Sequence, residues 1–296
     1  VQAGTAPARV GCDRVRTRRA MKSRSVVAAG AILEAWTTGR PIASRENYPS
    51  WVTSIEDVYA VHEALVAHPL SSQLGGLVGY KQGSIGMVEG QPCVYGPLFA
   101  ACMVESPAGL SGSAANLFAY EAEFAFVVGA DLAPRDSPRS EEEVWQAIAE
   151  VRLAIELVGK RHTLDDATNF EKLADACCAA GVVLGPRLLP AGSAASAAAA
   201  GAPSVTPAQL AEATATLTAG GELVNTGRGS NCPLGSPLVA LTWCANHLNS
   251  RGVTLCAGQV VIGGAIAKHS FSPVAGALDI VADFGPLGQV STVLAP

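Results

Sequence analysis

Charged residues are scarce in this chain and make up only 15% of its 296 positions, while aromatic residues make up 5%. A typical soluble domain has about 25% charged residues. This protein therefore either exposes an unusually apolar surface or covers part of that surface in an interface. Because 49% of the residues are hydrophobic, a chain that is disordered throughout is excluded.

The sequence also lacks a run of about 18 uninterrupted apolar residues, the length that a membrane-spanning helix needs. Its longest apolar stretches, around 176–184 and 260–267, are much shorter. Basic residues are concentrated in the first 24 positions, which carry six net positive charges, so the overall charge of −5 leaves −11 on the remainder. We expect neither a membrane nor a nucleic acid as a partner, because an acidic body is repelled by both.

Two interpretations fit the basic segment 1–24, which is rich in Arg and contains one acidic residue. It is either a mitochondrial transit peptide or sequence upstream of a native start at Met21. We favour the second interpretation, because the segment does not begin with Met and is weakly amphipathic, and we expect a cytoplasmic protein. The eight cysteines form no C-x-x-C pair, which predicts buried thiols in a reducing compartment.

Capping and turn signals divide the chain into the basic arm 1–24, a helical region 25–75 and a strand-rich region 76–296. Together these patterns predict an α+β protein. A capping box of Thr53 and Glu56 is predicted to begin the first secure helix. The predicted elements are helices from Thr53 to about His68, over Glu142–Glu150, from Thr206 and from Ser236 to about Gly252, strands over Gly76–Lys81, Tyr120–Val128 and Arg152–Val158, a hairpin at Ala219–Gly221 and a loop over Leu189–Ser204.

The most informative stretch is Tyr120–Val128, in which Glu121 and Glu123 alternate with apolar residues. On a strand both carboxylates lie on one face, about 7 Å apart at their Cα atoms. A solvent-facing acidic strand is the alternative, but the same face continues with Ala125 and Val127, which indicates that it enters a core or a cavity. Neighbouring carboxylates there repel each other and lose hydration unless a cation or a proton joins them.

A third acidic residue, Glu156, lies in the similarly apolar run Leu153–Val158. Three carboxylates without supporting His or Cys suit a hard divalent ion, Mg²⁺ or Mn²⁺, with water and substrate as further ligands. Lys81 stands between Gly79 and Gly83, and glycines allow a ligand to approach the backbone closely. A surface lysine in a turn is the alternative, whereas next to a metal-bound anion its ammonium can hold a carboxylate or transfer a proton.

Five short motifs follow one another in the chain: GYKQG at 79–83, YGPL at 95–98, EAEFAFV at 121–127, AIELVGKR at 154–161 and LGSPLVALTW at 234–243. In this order and spacing they resemble the 2-keto-4-pentenoate hydratase and 4-oxalocrotonate decarboxylase branch of the fumarylacetoacetate hydrolase superfamily. The resemblance extends from about Thr53 to the C-terminus. Each motif alone is weak, but five in order are specific.

The resemblance implies a fumarylacetoacetate-hydrolase-type mixed β-roll or sandwich with flanking helices. It also implies a metal held by Glu121, Glu123 and Glu156, with Lys81 as the active-site lysine and Arg161 supporting the bound substrate. In such enzymes the metal chelates the carboxylate and 2-oxo oxygens of a short 2-oxo acid, and it neutralises charge that develops on the enolate. A homo-oligomer, with dimers as the unit, is implied as well.

Three positions depart from the family pattern. The chain has Val158-Gly159-Lys160-Arg161 where Val-Asp-Ser-Arg is usual, Ala174-Asp175-Ala176 where Ala-Asp-Asn is usual, and Gly263-Gly264-Ala265 where Thr-Gly-Ser is usual. These changes leave the metal ligands in place but remove residues expected to position water or hold the substrate carboxylate. Asp175 remains a candidate catalytic residue that orients Lys81 or a water, with a turn cap as the alternative.

Ser84 and Arg228 are further candidates to bind the substrate. Arg228 lies in the glycine-rich segment Thr226–Ser230, which can contact an anion, with a surface turn as the alternative. Packed or solvated roles are expected for the histidines, which are scattered along the chain at His62, His68, His162, His247 and His269.

Three hypotheses of function follow. The first is a metal-dependent hydratase, a lyase that adds water to a 2-hydroxy-2,4-dienoate, the enol of a 2-oxo-4-enoate, in the catabolism of aromatic compounds. The second uses the same metal–enolate chemistry to decarboxylate a 2-oxo diacid of the 4-oxalocrotonate or oxaloacetate type, or to hydrolyse an acylpyruvate. The third is a catalytically silent binding or assembly protein. Three carboxylates kept in apolar strands argue against this third hypothesis.

Overall fold

Two sheets and six helices make up the part of the chain that the computed structural model describes, which is residues 22–48, 50–84, 93–111, 117–193, 203–271 and 276–295. The helices are α1 Lys22–Thr38, α2 Ile55–Ala67, α3 Glu141–Gln146, α4 Asn169–Ala174, α5 Pro207–Glu212 and α6 Pro237–Ser250. The strands are β1 Leu77–Gly83, β2 Val94–Phe99, β3 Met103–Glu105, β4 Ala108–Ser111, β5 Leu117–Val128, β6 Ile148–Gly159, β7 Ala179–Pro190, β8 Ser204–Val205, β9 Thr214–Ala219, β10 Glu222–Arg228, β11 Val260–Gly263, β12 Ala267–Ser270, β13 Leu278–Asp283 and β14 Gln289–Ala295.

The larger sheet has nine strands, and β5 and β6 lie in its middle. Its main path is β2-β1-β11-β5-β6-β7-β3, with β12 paired to β5 and β8 paired to β7. The smaller sheet has five strands in the order β10-β9-β13-β14-β4. A shared hydrophobic core joins the sheets, and in it the ring of Phe124 on β5 lies 5.4 Å from the ring of Phe284, which precedes β14.

A second hydrophobic cluster lies under α1 and α2, where Ile32, Leu33 and Leu65 are fully buried. It also contains Phe99 and Ala174 from the strand-rich region, so the predicted regions 25–75 and 76–296 share buried contacts. Their division stays a prediction, and most of the predicted arm 1–24 lies outside the described residues. None of the helices in the described ranges is long and apolar enough to cross a membrane.

Most predicted elements are confirmed, and two differ for identifiable reasons. The capping box that begins α2 is formed by Ser54 and Asp57, one residue later than predicted, because Asp57 Oδ2 accepts hydrogen bonds from the backbone nitrogens of both Thr53 and Ser54. The helix predicted over Glu142–Glu150 was wrong in its second half. It ends at Gln146, since Ile148 begins β6 opposite Val128 and is needed in the sheet core.

The predicted loop Leu189–Ser204 is bounded by strand at both ends. Leu189 and Pro190 end β7 and pair in parallel with Ser204 and Val205 of β8, while 194–202 lie outside the described residues. The helix from Thr206, the hairpin between β9 and β10 and the helix after Ser236 are confirmed. All seven cysteines in the described ranges are free, and six of them are buried.

Candidate functional site

Three carboxylates meet on the adjacent central strands β5 and β6. Glu121 lies directly opposite Glu156 in the antiparallel register, and Glu123 lies opposite the small residue Ala154. Each glutamate offers an oxygen that lies within 4.8 Å of the other two. Like charges directly opposite each other destabilise a pair of strands, so this arrangement requires a positive partner.

Burial makes that requirement stronger. Glu123 and Glu156 are fully buried, and Glu121 is 6% exposed. Neither carboxylate oxygen of Glu123 has a hydrogen-bond partner in the described part of the chain. A buried ionised carboxylate without a partner costs several kcal/mol or changes its protonation. Glu123 is therefore the side chain in this group that most needs an added cation.

Two lysines contact the group from different depths. Lys81 on β1 places Nζ 2.8 Å from Glu156 Oε1, and its side chain is 10% exposed. Lys268 on β12 places Nζ 2.8 Å from Glu121 Oε1, and its side chain is 48% exposed. Two ammonium groups thus face three carboxyl groups, so without an added cation the charges balance only when one carboxyl keeps its proton.

The pKa values of these groups are displaced in opposite directions. Burial raises the pKa of Glu123 well above its ordinary range, and the charges of Glu156 and Glu121 raise it further. Burial also raises the pKa of Glu156 to about 7, although Lys81 opposes that shift. Burial acts in the same sense on Glu121, but Lys81 and Lys268 outweigh it and lower the pKa of that carboxyl. Burial lowers the pKa of Lys81, yet the three carboxylates together outweigh it and raise that pKa.

Gly79, two residues before Lys81, is needed for a reason other than the predicted close approach of a ligand. A Cβ at Gly79 would lie 1.8 Å from the carbonyl oxygen of Val260, its partner in the parallel pairing of β1 with β11. Gly79 thus allows a neighbouring strand, not a ligand, to approach the backbone. The close pairing holds β1 beside β11, which in turn pairs with the strand that carries the glutamates.

A cavity of about 430 Å³ opens onto this group. Lys81, Glu121 and Lys268 line it, together with Lys172 and the exposed Ser84. Glu123 and Glu156 have no exposure of their own, so an ion that enters from the cavity meets Glu121 before it meets them. The predicted substrate-binding candidate Ser84 is therefore in reach of a ligand, and its role stays a prediction.

Arg161 and Asp175 do not line the cavity, in contrast to the roles predicted for them. Arg161 Nε lies 2.5 Å from Asp175 Oδ1, and both side chains are almost completely buried. The backbone nitrogen of Arg161 donates to Asp175 Oδ2 at 2.6 Å, and its two terminal nitrogens donate to the carbonyls of Ala179 and Asp175. With their hydrogen bonds satisfied inside the protein, these residues offer a ligand no direct contact.

Arg228 is exposed at the end of β10 and is likewise absent from the cavity lining, although Asn231 and Pro233, which follow it closely, line the cavity. Lys268 and Lys172, by contrast, line the cavity and were missed by sequence reasoning. The sequence contains one signal for Lys268, which is a single charged residue directly after the apolar stretch Val260–Ala267. Recognising it requires the pairing of β12 with β5, which places Lys268 opposite Glu121.

The donor set fits a hard divalent cation. Three carboxylate oxygens within 4.8 Å of one another, on rigid paired strands, are the ligands that Mg²⁺ and Mn²⁺ prefer. The three glutamates, once ionised, carry one charge more than Lys81 and Lys268 balance, and this charge together with the unpartnered oxygens of Glu123 fits the same conclusion. The residues that would hold the ion are Glu121, Glu123 and Glu156.

Comparisons with known proteins agree on one family. The family model described as fumarylacetoacetate (FAA) hydrolase C-terminal matches residues 85–293. A 2-keto-4-pentenoate hydratase from Paraburkholderia xenovorans (strain LB400) is 30% identical over 247 residues, which are 81% of this chain and 84% of that protein.

Two solved structures share the fold. A 4-oxalocrotonate decarboxylase from Pseudomonas putida G7, complexed with magnesium and adipate, has a TM-score of 0.72 at 22% identity and covers 91% of this chain and 96% of its own. A fumarylpyruvate hydrolase from Pseudomonas aeruginosa, in complex with Mn²⁺ and pyruvate, has a TM-score of 0.52 at 15% identity over 73% of this chain and 88% of its own. The predicted α+β fold with flanking helices is confirmed, and the chain belongs to the fumarylacetoacetate hydrolase family.

Proposed function

We propose that this protein is a divalent-metal-dependent hydratase, a lyase that adds water to a 2-hydroxy-2,4-dienoate, the enol of a 2-oxo-4-enoate. The observation that carries the proposal is the buried group of Glu121, Glu123 and Glu156 beside Lys81 at the inner end of a cavity. A cavity of about 430 Å³ suits a small organic acid. The similarity to a protein named 2-keto-4-pentenoate hydratase, over most of both chains, supports hydration as the reaction.

Mg²⁺ or Mn²⁺ held by the three glutamates would supply the positive charge that stabilises an enolate. The chain's own residues bind the rest of the substrate and move its protons. Hydration of a dienol needs a proton at carbon 5 on ketonisation and another at carbon 3 when water adds at carbon 4. Lys81 is the buried proton carrier that lines the cavity, and we assign it this role.

Decarboxylation of a 2-oxo diacid is the second candidate, and one residue of the cavity favours it. Ala265 lines the cavity at the position where the family pattern has a serine. An alanine cannot hold a water by hydrogen bonding, and loss of carbon dioxide, unlike hydration, needs no positioned water. Release of carbon dioxide from 4-oxalocrotonate, with no gain of water, would favour this alternative.

The test of hydration is the decay of the dienoate ultraviolet absorbance when protein and Mg²⁺ or Mn²⁺ are added to 2-hydroxypenta-2,4-dienoate. The product should gain one water, as mass spectrometry would show. Lys81→Met should lower kcat by about a hundred-fold or more, since positioned proton transfer contributes that much. Arg187→Met is the control, because Arg187 is an exposed cation that pairs with Glu150 and lies outside the cavity lining. No decay with a folded, metal-loaded sample would contradict the proposal.

A further inference from the structure

We propose that Lys268 is a second catalytic lysine, which donates the proton at carbon 5 of the dienol while Lys81 serves carbon 3. The inference rests on the proposed hydration and divides its two proton transfers between two side chains. Lys268 becomes available for this role when a divalent ion takes its partner Glu121 as a ligand.

Lys268 lies beside the predicted metal ligands but nearer to solvent than Lys81. It stands opposite Glu121 in the pairing of β12 with β5, and its Nζ lies 2.8 Å from Glu121 Oε1. Its side chain is 48% exposed, whereas that of Lys81 is 10% exposed. Both side chains line the cavity, so two ammonium groups reach the same ligand space from an inner and an outer position.

The two carbons that gain protons lie at different places along the dienol. In the proposed function, the carboxylate and the oxygen on carbon 2 are held at the glutamates, which are buried at the inner end of the cavity. Carbon 3 is bonded directly to the held carbon 2, whereas carbon 5 is the free end of the chain. Carbon 5 is therefore directed toward the more exposed end of the cavity, which is the end that Lys268 occupies.

The charges explain how Lys268 leaves its partner. Without metal, its ammonium pairs with the carboxylate of Glu121. A divalent ion together with Lys81 balances three ionised glutamates, so the pair of Lys268 with Glu121 is no longer needed for neutrality. Lys172 also lines the cavity, but within the described residues it forms no ion pair with the glutamates. Lys268 is thus the better placed of the two lysines to serve a ligand held at the ion.

The proposed step conserves atoms and charge. An N–H bond of the Lys268 ammonium breaks, and a C–H bond forms at carbon 5 with the electrons of the double bond between carbons 4 and 5. The electrons of the other double bond move to carbons 3 and 4, and the enol oxygen becomes the 2-oxo group as its proton passes to solvent. The half-exposed amine of Lys268 then takes a proton from water, and the product of this step is 2-oxopent-3-enoate.

Two substrates separate this proton transfer from the rest of the reaction. 2-Hydroxypenta-2,4-dienoate needs a proton at carbon 5, whereas 2-oxopent-3-enoate already has it and needs only water at carbon 4 and a proton at carbon 3. With Mn²⁺ bound, Lys268→Met should lower kcat for hydration of the dienol by at least about ten-fold. It should leave kcat for hydration of the enone within about two-fold. Lys81→Met should slow both substrates, and mass spectrometry of the hydrated product measures each rate.

Three further measurements make the result specific. Lys268→Arg should be about as slow on the dienol as Lys268→Met, because a guanidinium keeps the charge but does not release its proton. Lys268→Met should bind Mn²⁺ at least as tightly in calorimetry as the unmodified protein, since a competing cation at Glu121 is removed. Arg187→Met, which changes an exposed cation outside the cavity lining, should behave like the unmodified protein with both substrates.

Equal slowing of dienol and enone by Lys268→Met would overturn the role at carbon 5, and so would full activity of Lys268→Arg on the dienol. Weaker binding of Mn²⁺ by Lys268→Met would overturn the release of Lys268 from Glu121. A selective loss of dienol hydration in Lys172→Met, and not in Lys268→Met, would also overturn the assignment. Failure of the proposed function looks different, because the unmodified, metal-loaded protein would then hydrate neither substrate.

Discussion

Two sets of buried charges lie in the same molecule, and they differ in how completely they are satisfied. Arg161 and Asp175 form an ion pair in which the guanidinium nitrogens all donate to oxygens, and the guanidinium carbon lies 4.1 Å from the centre of the Trp36 ring. In the other set, Glu123 has two carboxylate oxygens that lack a partner in the described part of the chain.

The difference distinguishes a buried charge pair that stabilises the fold from a buried charged group that can bind a ligand. Sequence reasoning placed both sets in one site, because the family resemblance implied a role there for Arg161 and left Asp175 as a candidate in the run where Ala-Asp-Asn is usual. The geometry separates them: a satisfied pair holds two chain segments together, whereas an unsatisfied group has binding capacity left for a ligand.

Asp175→Asn should destabilise the fold by about 3–5 kcal/mol, because it leaves the guanidinium of Arg161 buried without its counter-ion. Urea unfolding measures the loss. Asp166→Asn is the matched control, since Asp166 also pairs with an arginine but its side chain is 74% exposed, and about 1 kcal/mol or less is expected. Affinity for Mn²⁺ should stay within about three-fold of the unmodified protein, because the Asp175 side chain bonds to Arg161 and does not line the cavity. A stable Asp175→Asn variant that has lost Mn²⁺ binding would reverse the comparison.

Glu123→Gln should weaken Mn²⁺ binding by about a hundred-fold or more, which corresponds to at least about 2.7 kcal/mol. The free energy of unfolding without metal should not fall, because burial raises the pKa of Glu123 well above its ordinary range and glutamine then replaces a carboxyl that is already uncharged. Titration calorimetry and urea unfolding measure the two effects. Glu105→Gln is the control, since Glu105 forms an exposed pair with Arg152. Unchanged Mn²⁺ affinity in Glu123→Gln would remove this glutamate from the metal site.

The sequence was sufficient to predict the glutamate group, because strand alternation is a local property. Tyr120–Val128 and Arg152–Val158 had the period of strands, and both extend further in the structure as β5 and β6. The face that Glu121 and Glu123 share follows from that period alone. Their meeting with Glu156 was implied by the family resemblance and is realised by the register of the two strands.

What the sequence could not predict depends on contacts between distant segments. Lys268 reaches Glu121 only because β12 pairs with β5, across about half the length of the chain. The ion pair of Arg161 with Asp175 depends on the turn that follows α4, where Ala176 and the two residues after it have positive φ angles of 48°, 54° and 61°. Non-glycine residues rarely adopt that conformation, and no propensity of these residues indicates it.

Gly96→Ala should destabilise the protein by about 1–3 kcal/mol, because a new Cβ would lie 2.7 Å from the carbonyl carbon of Ala176. The turn at Ala176–Cys178 connects the Arg161–Asp175 pair with the cavity. Asp175 precedes the turn, and Cys177 and Cys178 within it line the cavity. We expect binding of a 2-oxo acid such as pyruvate to weaken more than binding of Mn²⁺. Gly109→Ala is the control, as a Cβ there meets nothing within 4 Å. Equal stability of both variants would show that the turn has room to move.

The smallest expected effect is a dependence of metal stabilisation on pH. The pKa of Glu156, ordinarily 4.5, is raised by burial to about 7 in the folded protein without metal. Between these values the folded state holds a proton that the unfolded state has released, so this group's contribution to stability falls as pH rises from 4.5 toward about 7. An ion must displace that proton, and its binding therefore strengthens over the same range.

The increase in Tm caused by a fixed excess of Mn²⁺ should consequently be larger at about pH 7.5 than at about pH 5.5. Differential scanning fluorimetry with and without the ion measures it. Glu123→Gln, whose affinity for the ion should be about a hundred-fold lower, should show a much smaller increase at either pH. An increase in Tm that is the same at both pH values would mean that the glutamates are already ionised without metal. Three ionised glutamates would then face the two ammonium groups of Lys81 and Lys268, and one negative charge would stay unbalanced without metal, in contrast to the Arg161–Asp175 pair.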